Sequence, residues 1–330
     1  MPIGSQFRFR DVQLKASIER DLERVEAELS KAILSEFPFA TQAANHLVGA
    51  GGKRFRPLLT LLAAQLGSGT DDDVITAAVV VELTHVATLY HDDVMDDASM
   101  RRGIDSANAR WGNTVAILTG DFLFSKASQA LAGLGPVAVR IQAETFERLC
   151  IGQINETRGP NAPNEAITHH LQVLADKTGS LIATSLRFGS MFAQAPTEIA
   201  DALARYGEKI GVAFQLADDI VDLLSESDDS GKIPGTDLRE GIPTLPTLLV
   251  REMARVEDAE LLTALAGPIT DEVQVQHALT ALRQHPAIDA ARTIAYEWAD
   301  NARAEIAHFP SSAAKDALVA LCDYVVERTS

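Results

Sequence analysis

Cysteine is scarce in this chain, with only Cys150 and Cys322 among 330 residues. Two cysteines cannot form the disulfide framework of a small secreted protein. Long apolar runs are lacking too, because the best candidate, 74–90, contains Glu82 and His85 and falls short of the roughly 18 apolar residues of a membrane helix. The first residues carry no apolar signal region. We therefore expect a protein of the reducing cytoplasm without a membrane span.

Positive charge is also in short supply. The chain has 29 Lys and Arg against 46 Asp and Glu, which gives a formal net charge of −17. A chain this acidic repels polyanions overall, so nucleic acid is not an expected partner. Any site for a phosphate group must depend on a local cluster of basic residues or on metal ions.

Glycine and proline are too few for a low-complexity chain, at 21 and 13 residues, and they punctuate a helical pattern. Apolar residues recur at close to every 3.6 positions over 11–34, for example. Helix stops are expected at 51–52, at 67, at 133–136 and at 159–160. Alternating strand patterns are nearly absent, and no period of 20–50 residues repeats. The sequence predicts one all-α domain over 1–330, with roughly ten to fourteen helices.

One stretch, 225–246, departs from this pattern. It is polar and contains three glycines and three prolines between apolar helical flanks. It could be a linker between domains or a mobile loop at an active site. We favour the active-site loop, because long irregular segments in compact folds are often functional.

Two acidic clusters interrupt apolar helical segments. In the first, Asp92 and Asp96 lie four residues apart and share a helix face; in the second, Asp218 and Asp222 do the same, one turn after Gln215. Like charges at this spacing destabilise a helix, and local violations of this kind often mark function. Each cluster alone could be a solvated surface, which is the ordinary case for acidic runs. Two of them in one all-α chain are harder to explain that way.

The chemistry of these side chains indicates a metal. Carboxylate oxygens suit Mg²⁺, which retains water and usually binds proteins through a few carboxylates together with substrate phosphates. The sequence therefore predicts a site that holds a phosphate-bearing substrate through Mg²⁺.

Local basic groups agree with that prediction. They are the segment GGKRFRP (51–57), the pair Arg101-Arg102, Lys177 with Thr178 at a helix start or kink, and Lys232 in the irregular stretch. Arginine can bind phosphate oxygens through two parallel hydrogen bonds, and lysine supplies a point charge. Each could instead be an ordinary surface cation. The segment 51–57 is not a P-loop, because the GxxxxGK[ST] pattern after a strand is missing.

Taken together, these segments resemble the trans-isoprenyl diphosphate synthases, also called polyprenyl synthetases, of the long-chain type. The resemblance is carried, in the family's order, by GGKRFRP (51–57), LTHVATLYHDDVMDDASMRRG (83–103), GDFLF (120–124), DKTGSL (176–181), FQLADDIVDL (214–223) and GKIPGTDLREGIPTLP (231–246). It implies a helical bundle around a central cavity, a homodimer, and Mg²⁺-dependent head-to-tail condensation of isopentenyl diphosphate with an allylic diphosphate, farnesyl or geranylgeranyl. Release of the product would involve at most a peripheral membrane contact.

The resemblance also implies residue roles. Three Mg²⁺ ions per active site would be held by Asp92, Asp96 and Asp218, with Asp219 and Asp222 in support. The catalytic set would be Asp92, Asp93, Asp96, Lys177, Thr178, Gln215, Asp218, Asp219 and Lys232. The allylic diphosphate would contact Arg101, Lys177 and Lys232, and isopentenyl diphosphate would contact Lys53, Arg56, His85 and Arg102. His85 could alternatively be a core histidine.

The length of the product is expected to depend on the helix before Asp92. Thr84, Ala87 and Thr88 lie one or two turns before that aspartate and are small. Short-chain members of the family usually have an aromatic residue four or five positions before the first aspartate. We therefore expect a long product of about seven to ten isoprene units, although small residues could serve only close helix packing.

The sequence departs from the family's pattern at one position. Ile242 stands where the family often has a second lysine in the loop, so Lys232 would carry more of that charge.

Three alternative functions stand beside the long-chain synthase. The first alternative is a geranylgeranyl or farnesyl diphosphate synthase. The second is a subunit of a heteromeric prenyl synthase, although such subunits typically lose their aspartate motifs. The third is a class I terpene cyclase, which normally lacks the second aspartate motif seen here.

Overall fold

The computed structural model describes residues 9–225 and 234–327. Within these ranges the protein is all-α, as the sequence predicts. The α-helices are α1 Val12–Ala32, α2 Pro38–Gly49, α3 Phe55–Ala64, α4 Asp72–Met95, α5 Ala107–Trp111, α6 Asn113–Ala132, α7 Pro136–Arg158, α8 Ala166–Leu174, α9 Ser180–Phe192, α10 Thr197–Leu224, α11 Thr236–Glu240, α12 Leu245–Met253, α13 Ala259–Ala264, α14 Glu272–Arg283, α15 Pro286–Glu305 and α16 Ala313–Glu327. Thirteen of them have nine residues or more, within the predicted number.

The helices end close to the glycines that the sequence predicts as helix stops. α2 ends at Gly49, just before Gly51 takes a positive φ of 83°, and α7 ends at Arg158, just before Gly159 with φ of 73°. Gly67 follows α3 for a different reason. A Cβ atom at that position would lie 2.1 Å from the carbonyl oxygen of Ala193, so only glycine allows this approach of two backbones.

The expectation of an irregular stretch over 225–246 is wrong in part. The helix α11 occupies 236–240, and α12 begins at Leu245. α11 is bounded by Gly235 and Gly241, which take φ of 75° and 73°. The Asp222 carboxylate lies 3.4 Å from the first two backbone nitrogens of this helix, where acceptors stabilise a helix N-terminus. Residues 226–233, which include Lys232, lie outside the described residues.

The chain divides into two compact units, and each is described separately. The first comprises Met1–Phe146, Leu181–Gly207 and His308–Leu318, and the second comprises Glu147–Ser180, Glu208–Ala307 and Val319–Ser330. The prediction of a single domain over 1–330 stays a prediction.

In the first unit, α4 is the central helix, and α1, α3 and α6 pack around it. It is apolar on nearly all sides, and Val80, Leu83 and Val86 have no exposed surface. By length and composition α4 could cross a membrane, but 72% of its apolar window is buried, as in the core helix of a soluble protein. The unit also contains the strands β1 Met100–Arg101 and β2 Ile104–Asp105, which the helical pattern did not indicate.

In the second unit, α12 packs against α8 and α15. α15 presents a buried row of alanines at three- and four-residue spacing, which are Ala287, Ala291, Ala295, Ala299 and Ala302. Side chains this small let neighbouring helices approach closely. This packing supports α8, from which His170 approaches Asp219 of the second aspartate cluster.

Candidate active site

A short hairpin directs the arginine pair after the first aspartate cluster. β1 and β2 pair antiparallel, with Arg101 opposite Ile104, so Arg102 and Gly103 form the two-residue turn. Both turn residues have positive φ, 54° and 79°, as in the turns that best fit the twist of a hairpin. Consequently the two arginines contact different partners. Arg101 binds Asp93, and Arg102 donates to the carbonyl oxygens of Leu47 (2.6 Å) and Gly51.

The first aspartate cluster forms the last turn of α4. Asp92 is half-buried and Asp96, which ends the helix, is exposed. Asp93 is fully buried, and the Nε of Arg101 donates to its Oδ1 at 2.6 Å. Burial raises the pKa of Asp93 although Arg101 acts in the opposite direction, and its Oδ2 has no hydrogen-bond partner. Asp93 therefore anchors the hairpin, while the other two carboxylates are more accessible.

A buried carboxylate organises the arginines of the GGKRFRP segment. Arg54 turns inward and donates to Glu82 at 2.9 Å, and it also binds Glu26. The Arg102 guanidinium lies 3.9 Å from the same Glu82 oxygen. In the sequence, Glu82 stands out only as an interruption of an apolar run. Its position within that run was a usable signal, because a glutamate is almost never fully buried unless it is paired.

The remaining cationic residues of this cluster lie in the first turn of α3 and on α4. The pKa of Arg56 is lowered to about 10, mainly by burial and to a smaller extent by Arg102, while Glu82 acts in the opposite direction. The Nε of Arg56 is buried without a hydrogen-bond partner. Burial and the neighbouring guanidinium groups, Arg56 first, hold the pKa of His85 well below its usual range. Lys53 lies exposed just before α3. An excess of positive charge around a neutral imidazole is an arrangement that suits an anion.

The three predicted chain-length positions lie two turns or less before Asp92, in the interior of the first unit. Thr84 and Ala87 are fully buried, and Thr88 is half-buried. Gln142 on α7, which no sequence motif indicates, donates from Nε2 to the Thr84 hydroxyl at 2.7 Å. α6 also lies close to α4 here, because a Cβ at Gly120 would be 3.1 Å from the Ala87 carbonyl oxygen.

In the second unit, Asp218, Asp219 and Asp222 lie on the last two turns of α10. Asp218 and Asp222 are half-buried, and Asp219 is buried. The amide of Gln215 donates to Asp219 Oδ1 at 3.2 Å. The Nε2 of His170 on α8 lies 3.5 Å from Asp219 Oδ2. Both predicted clusters therefore contain one aspartate that turns into the protein and two that are less buried.

Lys177 and Thr178 lie in a π-helical turn, Ala175–Gly179, between α8 and α9. The sequence predicted a helix start or a kink here, and the structure has a π turn, which inside helices occurs often at functional sites. Arg148 fixes the turn by donating to Asp176 at 2.8 Å and to Glu208 at 2.7 Å. Lys177 pairs with Glu156.

A cavity of about 830 Å³ opens in the second unit beside these residues. Its lining includes Glu156, His169, His170, Lys177, Thr178, Gln215, Asp219, Asp237 and Ile242. The volume is within the range of pockets that hold small organic ligands. Lys177, Thr178, Gln215 and Asp219, which the sequence placed at the site, thus share one cavity.

The donor sets fit Mg²⁺ that is shared with a substrate. Each accessible aspartate pair supplies two carboxylates, and no group of three or more His, Cys, Asp or Glu side chains able to hold a metal occurs in the described residues. Mg²⁺ is usually held by one or two carboxylates plus phosphate oxygens and water, and it does not need a cage of protein ligands. The carboxylate chemistry therefore suits the predicted metal.

Comparison with known proteins agrees with this geometry. The sequence profile of the family described as polyprenyl synthetase matches residues 38–282. The chain is 46% identical to a nonaprenyl diphosphate synthase of Mycobacterium tuberculosis over 96% of its length and 95% of the other protein's. It is 36% identical to heptaprenyl diphosphate synthase component 2 of Geobacillus stearothermophilus, over 93% and 96% of the two lengths. A crystal structure of geranylgeranyl pyrophosphate synthase from Corynebacterium glutamicum, complexed with calcium and isoprenyl diphosphate, superimposes with a TM-score of 0.88 at 44% identity, covering 98% and 99% of the two chains.

Proposed function

The chain belongs to the polyprenyl synthetase family, and we propose that this prenyltransferase condenses isopentenyl diphosphate head-to-tail with an allylic diphosphate, farnesyl or geranylgeranyl, to make a long all-trans product. The fold is that of the isoprenoid synthases. The observation that carries the proposal is the presence, in one acidic chain, of two aspartate clusters and of a local arginine cluster in which Arg54 is buried and Arg56 and Arg102 are half-buried.

The cationic cluster of the first unit is the proposed site for isopentenyl diphosphate. Arg56 has a buried Nε without a hydrogen-bond partner, and Arg102 is held by two backbone carbonyls. His85 is neutral here and can donate one hydrogen bond without adding charge. Lys53, at the exposed edge, adds a point charge. These residues would bind the diphosphate in the ground state and leave the double bond free to react.

The accessible aspartates are the proposed ligands for Mg²⁺, with Asp92 and Asp96 in the first motif and Asp218 in the second. Bound Mg²⁺ would neutralise the charge that develops on the departing diphosphate. Arg101 and Lys177 would contact the same group, with Lys232 from the segment outside the described residues. Their charges stabilise the leaving group at the position where its charge develops.

The residues around the reacting carbons would surround an allylic cation and protect it from water. Loss of diphosphate creates that cation, and the isopentenyl double bond attacks it; the released diphosphate then accepts the final proton. Thr178 and Gln215 are the polar side chains proposed to lie near these carbons. Water must be kept from this cation, and the cavity beside these residues has apolar lining such as Val173 and Leu248. This scheme needs no nucleophilic serine or cysteine.

The growing chain is proposed to pass along α4. Thr84, Ala87 and Thr88 present no aromatic ring on the turns before Asp92, so a tail of seven to ten isoprene units meets no bulky barrier there. Alternatively, these residues only allow α6 to pack closely. The product would then be shorter, so the length of the product distinguishes the two possibilities.

We also propose a cytoplasmic homodimer. Cys150 and Cys322 are both free, as expected in a reducing compartment. The first unit exposes apolar side chains on α6 and α7, namely Ile117, Leu118, Val137, Val139 and Phe146. Exposed apolar side chains can mark an interface, and a second copy of the chain is the proposed partner.

The proposal is tested by incubating the protein with labelled isopentenyl diphosphate, Mg²⁺ and farnesyl diphosphate. Label in elongated, acid-labile diphosphates is the expected result, and Asp92→Ala should abolish it. Cyclic hydrocarbons would identify a terpene cyclase instead. Turnover that requires a second, different chain would identify a subunit of a heteromeric synthase, the alternative favoured by the likeness to a component 2 protein.

A further inference from the structure

His170 occupies an unusual position beside the second aspartate cluster. It lies on α8, seven residues before Lys177, and belongs to none of the motifs that indicate the function. Its side chain is 12% exposed and that of Asp219 is 8% exposed, and the imidazole Nε2 lies 3.5 Å from Asp219 Oδ2. Neither of these two atoms has a hydrogen-bond partner in the described residues. Buried polar atoms are nearly always satisfied, so this pair requires an explanation.

The surroundings of Asp219 leave the imidazole as its natural partner. Its other oxygen, Oδ1, already accepts from the Gln215 amide. A buried carboxylate oxygen without a hydrogen-bond donor costs free energy, whereas a shift of a few tenths of an ångström would bring Nε2–H into a hydrogen bond. His170 would then complete a set of two donors, one to each oxygen of Asp219.

The first aspartate cluster has a parallel arrangement. There Asp93 is buried and receives a hydrogen bond from Arg101, a residue of another element. In both clusters the second aspartate is thus buried beside a basic side chain from elsewhere in the same unit. The first and last aspartates of each cluster stay less buried. In the second cluster the basic side chain is His170.

We propose that His170 is a positioning residue for the second aspartate cluster. It holds the Asp219 carboxylate and thereby fixes the last turns of α10, so that Asp218 is oriented for Mg²⁺ and diphosphate. This inference rests on the proposed function. Partners that orient metal-binding groups matter quantitatively, because their loss commonly weakens metal affinity or activity about 10- to 100-fold.

The test measures binding separately from turnover. The probe is inorganic diphosphate with increasing Mg²⁺, and the readout is the rise in melting temperature. Measured against each variant's own melting temperature without metal, His170→Phe should raise the Mg²⁺ concentration for half-maximal stabilisation about 10-fold or more. His170→Gln keeps a donor near Asp219 and should stay within about threefold of the wild type. The matched control is His277→Phe, since this histidine on α14 is 77% exposed and should have no effect.

A double-mutant cycle separates the coupling between His170 and Asp219 from any general loss of stability in the single variants. The Asp219→Asn variant lacks the negative charge that His170 contacts. Adding His170→Phe to it should therefore change the Mg²⁺ concentration for half-maximal stabilisation by less than about twofold. The KM for isopentenyl diphosphate, whose proposed site is in the first unit, should not change in any of these variants. Additive effects in the cycle, or a His170→Phe variant with wild-type Mg²⁺ dependence, would overturn the inference. If the wild type itself neither gains stability nor elongates a primer, the proposed function fails, and the inference fails with it.

Discussion

Replacing Glu82 with glutamine should be one of the most destabilising conservative changes in the first unit. Glu82 is 2% exposed and pairs at 2.9 Å with Arg54, which is itself 3% exposed, while the Arg102 guanidinium lies 3.9 Å away. Glutamine keeps the shape but removes the only buried negative charge described between these two arginines. Removing one partner of a buried ion pair typically costs about 3–5 kcal/mol. Because Glu26 still binds Arg54 in this variant, the expected loss lies near the lower end of that range.

The chain provides a matched control for this prediction. Glu26 binds the same guanidinium but is 48% exposed. Exposed ion pairs contribute about 0–1 kcal/mol, so Glu26→Gln should cost far less. Urea denaturation of the two variants and the wild type measures the difference in the free energy of unfolding. Equal losses in the two variants, or a loss below about 1 kcal/mol for Glu82→Gln, would refute the view that a buried carboxylate organises this cluster.

Four further outcomes follow from the site. Asp92→Ala or Asp218→Ala should abolish most turnover without unfolding the protein, as circular dichroism and product assays can establish; near-wild-type kcat at saturating Mg²⁺ would refute the metal assignment. Arg56→Ala should raise the KM for isopentenyl diphosphate more than the KM for the allylic substrate, since a ground-state contact acts mainly on binding; equal rises would count against the assignment. Ala87→Phe should shift the main product to farnesyl or geranylgeranyl diphosphate, and chromatography showing an unchanged long product would contradict the proposed path along α4. The pKa of His85 in the folded protein lies well below 6.5. The contribution of its neutral form to stability is therefore present above pH 6.5 and is lost as the pH falls below that value, by up to about 1.4 kcal/mol per pH unit. His85→Gln should flatten the loss of stability between pH 7.5 and 5.5, and an unchanged slope would be inconsistent with a neutral buried imidazole.

Local features of the sequence predicted the helices well, because the information that ends a helix lies at its end. Gly51 and Gly159 mark helix stops through backbone conformations that glycine adopts easily. α11 was missed because the acceptor that stabilises its first turn, Asp222, lies fourteen residues earlier in the chain. A helix of five residues has too few positions to show a periodic pattern.

The sequence predicted which residues bear the chemistry better than it predicted how they are held. Carboxylates four residues apart on a helix are visible in any sequence, and Asp92 and Asp96 needed no structure. The contact between Arg54 and Glu82 spans 28 residues, and the approach of His170 to Asp219 spans 49. Contacts of this range depend on how helices pack and leave no regular spacing in the sequence. Helix spacing sets Asp93 and Asp219 apart from the pairs that share a face, but it does not reveal that both of these carboxylates are buried.

The product of the wild-type protein is the most direct test of the central claim. The protein is incubated with farnesyl diphosphate, excess labelled isopentenyl diphosphate and Mg²⁺, and the dephosphorylated products are separated by chromatography against polyprenol standards. Our account predicts a main product of seven to ten isoprene units. A main product that stops at three or four units, or no elongation at all, would contradict it.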